Sequence, residues 1–137
     1  MRGTKTCGMV LLGLMLGCAS GHFIKLNGSP QVPAAQGAVR VASGANNNTR
    51  LRIDVHHLAE PQRIAAGATS LVAWAQPSAT GGAPQNIGAL RVNDKLEGEL
   101  ETVTPQRDFE LLITAEPSPT AAVPSGTPLL SAHISTP

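Results

Sequence analysis

The clearest alternation of apolar and polar residues runs along residues 50–56. Leu51, Ile53 and Val55 fall on one face of an extended chain, and the residues between them are arginine, aspartate and histidine. A period of two with one apolar face is typical of a half-buried antiparallel strand. Residues 108–116 show a similar alternation. The pattern therefore predicts two amphipathic strands.

A third stretch, residues 70–76, is apolar on both faces and holds Trp74, the only tryptophan. Burial on both faces is typical of a central strand, and we expect Trp74 to fill the space between two packed sheets. Further short strands are predicted at residues 39–42, 87–92, 96–103 and 129–134.

The loops between these strands are rich in turn-forming residues. A three-residue loop at 93–95, Asn-Asp-Lys, would place Val92 opposite Leu96 and keep the apolar face in register. Longer loops rich in proline and glycine are predicted at 77–84 and 117–128. Because loops carry function more often than strands do, we expect any binding surface to lie on these two.

About seven short strands without a convincing amphipathic helix predict an all-β fold, an Ig-like antiparallel β-sandwich over residues 39–137. Trp74 and Phe109 are expected in its core. Glu116 and Pro117 end a strand and are assigned to the same structural core, and Glu116 is also expected to brace the loop that follows it.

Composition excludes several classes of function. A chain of 137 residues suits one domain with a leader or tail. The formal net charge is +1 and only 2% of the residues are aromatic, so nucleic-acid binding is not expected. Both cysteines, Cys7 and Cys18, lie near the N-terminus. Disulfides and a cysteine-based zinc site are therefore excluded for the rest of the chain.

Residues 1–17 are typical of a secretory signal peptide. Two basic residues precede the uncharged, mostly apolar run 6–16, and a small residue, Gly17, precedes Cys18. The run is shorter than the roughly 20 apolar residues that a membrane-spanning helix needs. A short membrane anchor that extends to Ile24 is the structural alternative.

The sequence LMLGC at residues 14–18 resembles the lipobox of bacterial lipoproteins. The resemblance implies signal cleavage after Gly17 and lipidation of Cys18, which would receive a diacylglyceryl group and a further acyl chain such as palmitate. Two or three acyl chains anchor a protein firmly. Ala19 favours the outer membrane, by resemblance to enterobacterial sorting. A plain cleaved signal peptide on a secreted domain is the other interpretation.

Residues 18–38 are mostly small and polar and include two prolines. This composition predicts a flexible tether between the lipid and the domain. The alternative is that Phe23, Ile24 and Leu26 dock on the domain.

Four short motifs in the folded part point to one family. They are Trp74 in LVAWAQP, Gly88 in PQNIGAL, the TAEP of residues 114–117 and the PSG of residues 124–126. With them, residues 50–135 resemble the C-terminal extracytoplasmic domain of anti-sigma-K-type factors. The resemblance implies a β-sandwich module outside the cytoplasm and brings no catalytic residues. The sigma-binding helices and membrane span that precede this domain in the family have no counterpart here, so sigma-factor binding is not expected.

Asp54 and His56 are the best candidates for metal binding or acid–base chemistry, because they share one face of a strand. His57 points to the opposite face, and no third ligand is identifiable in the sequence. A metal-dependent or hydrolytic enzyme that uses Asp54 and His56 is therefore the alternative hypothesis.

A stripe of carboxylates, Glu97, Glu99 and Glu101, lies on one predicted strand. Alternate positions on a strand are roughly 7 Å apart, which falls within the spacing of paired glycosidase carboxylates. No aromatic residues accompany them to bind a sugar, so we expect a solvated face. The expected basic neighbours are Arg50, Arg52 and Arg91.

The sequence thus predicts a lipid-anchored protein of the cell envelope, facing the periplasm or the exterior. It presents a small β-sandwich for binding, sensing or structural contact. The expected partners are the membrane, through Cys18, and an envelope protein or ligand. Catalysis, a metal and a cofactor are not expected.

Overall fold

The computed structural model describes residues 21–79 and 81–137 and has an all-β fold. The strands are β1 (His22–Gly28), β2 (Gln36–Ser43), β3 (Thr49–His56), β4 (Ser70–Pro77), β5 (Gln85–Ala89), β6 (Arg91–Val92), β7 (Gly98–Thr104), β8 (Asp108–Glu116) and β9 (Leu130–Ser135). The one α-helix of the described residues, α1 (Pro61–Ile64), forms a single turn. The predicted all-β class is confirmed.

The nine strands form an antiparallel sheet that is nearly closed into a barrel, in the order β5-β4-β8-β9-β1-β2-β3-β7-β6. Strand β1 joins the two halves of the sheet, because residues 22–26 pair with β2 whereas Asn27 and Gly28 pair with β9. The structure therefore has nine strands in a continuous order, where the sequence predicts about seven strands in two separate sheets.

Strand β1 lies within residues 18–38, where the sequence predicts a flexible tether. Over the described part of that range the structure differs, since β1 is an integral strand. Leu26 in β1 and Val32 in the following loop are buried, and Ile24 packs against the core. Ile24 and Leu26 sit two positions apart and so share the inner face of the strand. The alternative interpretation, docking on the domain, holds for Ile24 and Leu26 but not for Phe23, which is 72% exposed.

The segment predicted as one strand at residues 87–92 forms two. Leu90 separates β5, which pairs with β4, from β6, which pairs with β7. Val92 lies opposite Gly98 rather than Leu96, so the predicted register is wrong. The turn spans five residues because Leu96 adopts a positive φ of 59° and Asn93 bonds to Glu97 through its backbone N–H.

The main core lies between the two halves of the sheet. Its largest members come from the inner faces of β3, β8 and β9, and from Leu71 on β4. They include Leu51, Ile53, Phe109, Leu111, Ile113 and Ile134. Trp74 is fully buried but lies outside this cluster, so it does not fill the space between the halves as the sequence predicts.

The seam between β5 and β7 brings the two ends of the sheet together without a full ladder of backbone hydrogen bonds. The Thr102 hydroxyl donates to the carbonyl of Ile87 at 2.7 Å. Beside it, Gly88 has a φ of +134°, and a Cβ on Gly88 would lie 3.1 Å from Leu100 Cδ1. The close approach of β5 to β7 therefore requires glycine at position 88.

Replacing Gly88 with alanine is expected to lower the free energy of unfolding by about 2–3 kcal/mol, because the strained φ and the contact with Leu100 both oppose a side chain. Gly67 is the matched control: its φ is +77° but nothing lies within 4 Å of its would-be Cβ. Gly67→Ala should cost only about 1 kcal/mol. Chemical denaturation measures the free energy of unfolding of both variants. Equal losses would show that the contact with Leu100 at the seam does not oppose a side chain at position 88.

Candidate functional site

Trp74 lies on the outer face of its half of the sheet. In an antiparallel pair, residues directly opposite each other point to the same face. Trp74 lies opposite Leu112, whereas its neighbour Ala73 lies opposite Ile113, a member of the main core. The indole therefore points away from the core, yet none of its surface is exposed. Another part of the chain must cover it.

The cover is the segment 117–128, which we call the braced loop. At one side, Asn86 on β5 donates from Nδ2 to the carbonyls of Pro119 and Ala121, both at 3.0 Å. At the other side, Glu116 at the end of β8 holds Ser125. Strands β5 and β8 flank β4, so a loop held at both must cross the outer face of β4 above Trp74.

A chain of hydrogen bonds connects the indole to the braced loop. Trp74 Nε1–H donates to Thr114 Oγ1 at 2.8 Å, and Thr114 Oγ1–H donates to Glu116 Oε1 at 2.6 Å. The backbone N–H of Ser125 donates to the same carboxylate at 2.9 Å, and the Ser125 hydroxyl donates to its other oxygen. Glu116 therefore braces the loop that follows it, in agreement with the sequence-based expectation.

Glu116 is a fully buried carboxylate without a basic partner in the described part of the chain. Burial by itself raises the pKa of Glu116, because the charged form loses its hydration. Hydrogen bonds from the Ser125 and Thr114 hydroxyls and from the backbone of Ser125 and Gly126 outweigh that effect and hold the pKa below its ordinary value. The carboxylate is therefore ionised at neutral pH.

The outer side of the braced loop is exposed. Val123 at its tip is 65% exposed, one of the few large apolar side chains at the surface of the described residues. The loop also has four exposed or half-exposed prolines, which restrict its backbone. An exposed loop held in one conformation loses little conformational entropy on binding. The braced loop is therefore a candidate surface for binding a partner.

The outer face of β3 and β7 carries charges of both signs. Arg52 contacts Asp54 on its own strand at 3.4 Å and Glu101 on the neighbouring strand at 3.3 Å. Arg91 lies opposite Glu99 in the ladder. The predicted carboxylate stripe is thus interleaved with arginines on a solvent-facing surface. Such exposed pairs contribute little to stability.

Asp54 and His56 both line an open cavity of about 670 Å³ beside the loop that joins β1 to β2. The structure gives each side chain its own partner, since Asp54 pairs with Arg52 and His56 Nδ1 lies 3.4 Å from Glu97 Oε1. Among residues 21–79 and 81–137, no group of three His, Cys, Asp or Glu side chains is arranged to hold a metal ion. His57 lies in a bend with a φ of 57°.

Glu97 is the second carboxylate with a perturbed pKa. The Asn93 amide donates to Glu97 Oε2 at 3.0 Å and is the main cause that lowers the pKa of Glu97, with the neighbouring His56 adding to it and slight burial opposing it. The Asn93 side chain also accepts from the backbone N–H groups of Lys95 and Glu97. This local network explains the observed five-residue turn.

The remaining predicted residues are placed as follows. Phe109 is fully buried in the main core, and Pro117 is exposed. The assignment of Pro117 to the core is therefore wrong; its carbonyl instead accepts a hydrogen bond from the Thr69 hydroxyl at 2.9 Å. Gly17 and Cys18, the predicted cleavage and lipidation sites, lie outside the described residues.

Asn86 and Ser125 hold the braced loop, and no local sequence pattern marks either of them as a loop anchor. One signal was available: β4 is apolar on both faces, which requires a cover on each. Thr114 and Glu116 also alternate onto the outer face of β8 beside β4. Which segment supplies the cover could not be found from local pattern alone.

No helix in the described residues is long and apolar enough to cross a bilayer. Comparison of the chain with protein-family models, with curated proteins and with solved structures finds no match.

Proposed function

We propose that the protein is a lipid-anchored component of the bacterial cell envelope that presents its β domain for binding. The observation that carries the proposal is the leader, in which a basic start, an apolar run and LMLGC end at Cys18. Acylation of Cys18 after cleavage at Gly17 would attach the mature chain to a membrane. By resemblance to enterobacterial sorting, Ala19 favours the outer membrane.

The proposed binding surface is the braced loop, and the proposed partner is an envelope protein or ligand. Support comes from the contrast between its exposed tip and its buried supports. The tip presents Val123 to solvent, while Trp74 and Glu116 underneath are fully buried. A rigid exposed loop suits a binding or structural role, which requires no catalytic group.

We further propose that the domain is a sandwich related to the extracytoplasmic domain of anti-sigma-K-type factors. Three of the motifs that carry that resemblance meet at one place, because Trp74, Thr114, Glu116 and Ser125 form a single hydrogen-bonded chain. The fourth, Gly88, lies at the seam, and its backbone N–H donates to Oδ1 of Asn86, the residue that also holds the braced loop. Because these motifs act together to hold the braced loop, their joint presence supports a relationship to that family.

Labelling with palmitate in the producing cell tests the anchor. The full chain should incorporate label, and Cys18→Ser should abolish incorporation, because the thioether and the new amino terminus both form at Cys18. Cys7→Ser is the matched control: it removes the other cysteine, which lies in the apolar run that is cut away, and should leave labelling unchanged. Equal labelling of wild type and Cys18→Ser would refute the proposal.

A further inference from the structure

The distance along the chain between the proposed anchor and the first strand is short. This inference rests on the proposed lipidation of Cys18. Three residues separate Cys18 from His22, where β1 begins. An extended chain advances about 3.5 Å per residue, so the start of β1 lies at most about 14 Å from the lipidated residue. A tether this short holds one end of the domain at the membrane surface.

The strand registers define which end that is. His22 lies opposite Val41 near the end of β2, and Thr49 at the start of β3 lies opposite Thr104 at the end of β7. The loops 44–48 and 105–107 therefore lie at the same end as the start of β1. We call it the anchor end. The Thr49 hydroxyl ties it together by donating to the carbonyl of Gln106 at 2.7 Å.

The braced loop begins and ends at the opposite end, from which it folds back over the outer face of β4 as far as Asn86. It follows Glu116 at the end of β8, whereas Asp108 at the start of that strand lies opposite Ser135 at the end of β9. The loop 57–69, which contains α1, also lies at the far end, because it follows the end of β3.

The anchor end carries an exposed aromatic side chain beside an arginine. Phe23 is 72% exposed, and Arg40 Cζ lies 5.8 Å from the centre of its ring. Val103, another large apolar side chain at the surface, lies opposite Arg50 on the same outer face. Aromatic residues with basic neighbours suit the interface between lipid headgroups and acyl chains.

The charges at the anchor end are unbalanced. Arg40, Arg50 and Arg107 have no carboxylate within salt-bridge distance among residues 21–79 and 81–137. Of the nearby acidic residues, Glu101 is paired with Arg52 at 3.3 Å, and Asp108 lies 3.5 Å from the imidazole of His133, so the three arginines remain in excess. Unpaired arginines close to a membrane are attracted to anionic headgroups.

We infer that the anchor end is a second membrane contact that orients the domain on anionic lipid. Phe23 enters the interface, and Arg40 and Arg50 face the lipid phosphates. The lipid on Cys18 supplies the attachment, and this surface restricts how the attached domain turns. The braced loop then lies clear of the membrane, where a partner can reach it.

Quenching by brominated lipid tests the orientation. The lipidated mature chain is purified from the producing cell and reconstituted into vesicles of phosphatidylcholine and phosphatidylglycerol, with and without brominated acyl chains. Phe23→Trp adds an indole at the anchor end, and the matched control Val123→Trp adds one on the braced loop. Trp74 is buried and gives the same background in both. Most of the added emission of the first variant should be lost, and that of the control should be retained.

Charge dependence is measured with the same vesicles. Arg50→Glu in the Phe23→Trp background should reduce the quenching, as should removing phosphatidylglycerol. Arg63→Glu is the control, because Arg63 is an exposed arginine in α1 at the far end. If the two charge reversals change the quenching equally, the proposed attraction between Arg50 and the anionic lipid is refuted.

The mass of the purified chain separates the two possible failures. A chain without added lipid mass refutes the anchor, and the orientation falls with it. A lipidated chain in which the indole at position 23 is not quenched, or in which both added indoles are quenched equally, refutes the orientation and leaves the anchor standing.

Discussion

Glu116→Gln lowers the free energy of unfolding by about 3 kcal/mol, because the buried carboxylate accepts every hydrogen bond that its neighbours offer. A glutamine amide keeps the size of the side chain but turns an NH₂ group towards donors in Ser125 or Thr114. The donor that faces the NH₂ group then loses its acceptor. Urea denaturation followed by Trp74 fluorescence measures the loss, since the indole lies directly in the network.

Glu110→Gln is the matched control for this experiment. Glu110 lies on the same strand and the same outer face as Glu116, six positions earlier, but is partly exposed, and its ion-pair contact is with His133 at 3.7 Å. Its replacement should change stability by less than about 0.5 kcal/mol. If the two variants lose the same amount, the brace is not what stabilises this side of the domain.

The same carboxylate makes stability depend on pH. Its pKa in the folded state lies below the ordinary value of 4.5, so the unfolded chain binds the proton more readily. The stabilisation is fully present above about pH 5.5 and is lost as the pH falls below 4.5 through the folded-state pKa. Wild type should therefore lose more stability between neutral and acidic pH than Glu116→Gln does.

Trp74→Ala is expected to cost about 3–5 kcal/mol, as for other fully buried aromatic residues. The cost arises on the outer face of the sheet, so the main core should keep its packing and the braced loop should lose its support. Hydrogen exchange should therefore accelerate at the backbone N–H of Ser125, whereas exchange in β3 should change much less. Circular dichroism of the β signal measures unfolding, because the variant lacks tryptophan.

Two further variants show which part of the Trp74 side chain accounts for the loss of stability. Trp74→Phe keeps most of the apolar volume and removes only the Nε1–H that donates to Thr114, so it should cost about 1–2 kcal/mol. Phe23→Ala truncates an exposed aromatic side chain and should lie within about 0.5 kcal/mol of wild type. Uniform acceleration of exchange over all strands in Trp74→Ala would show that the indole supports the main core after all.

Local pattern was enough to find most of the strands. Alternation at residues 50–56 and 108–116 corresponds to β3 and β8, and the apolar stretch at 70–76 corresponds to β4. These predictions succeed because side chains of a strand alternate between two environments, and that period is visible in any short window. The all-β class follows from such strands and from the lack of a helical period.

Local pattern failed where a neighbour decided the outcome. Residues 22–28 have an apolar residue at only a few positions and a composition typical of a linker, yet they become a strand because β2 and β9 both offer edges to pair with. At Leu90 the chain leaves one half of the sheet and joins the other. A short stretch of sequence around residues 22–28 or around Leu90 does not contain the strands with which these residues pair.

By itself, the sequence determined the class of the fold, the burial of Trp74 and Phe109, and the special position of Glu116 at the end of a strand. Only the tertiary structure decided which face of the sheet the tryptophan occupies and what covers it. The reason is physical: an apolar residue on a strand indicates that its side chain is buried, but it does not indicate which part of the chain covers it. The cover is a proline-rich loop, held by Asn86 and Glu116 from opposite sides of β4, and such long-range contacts leave no periodic trace.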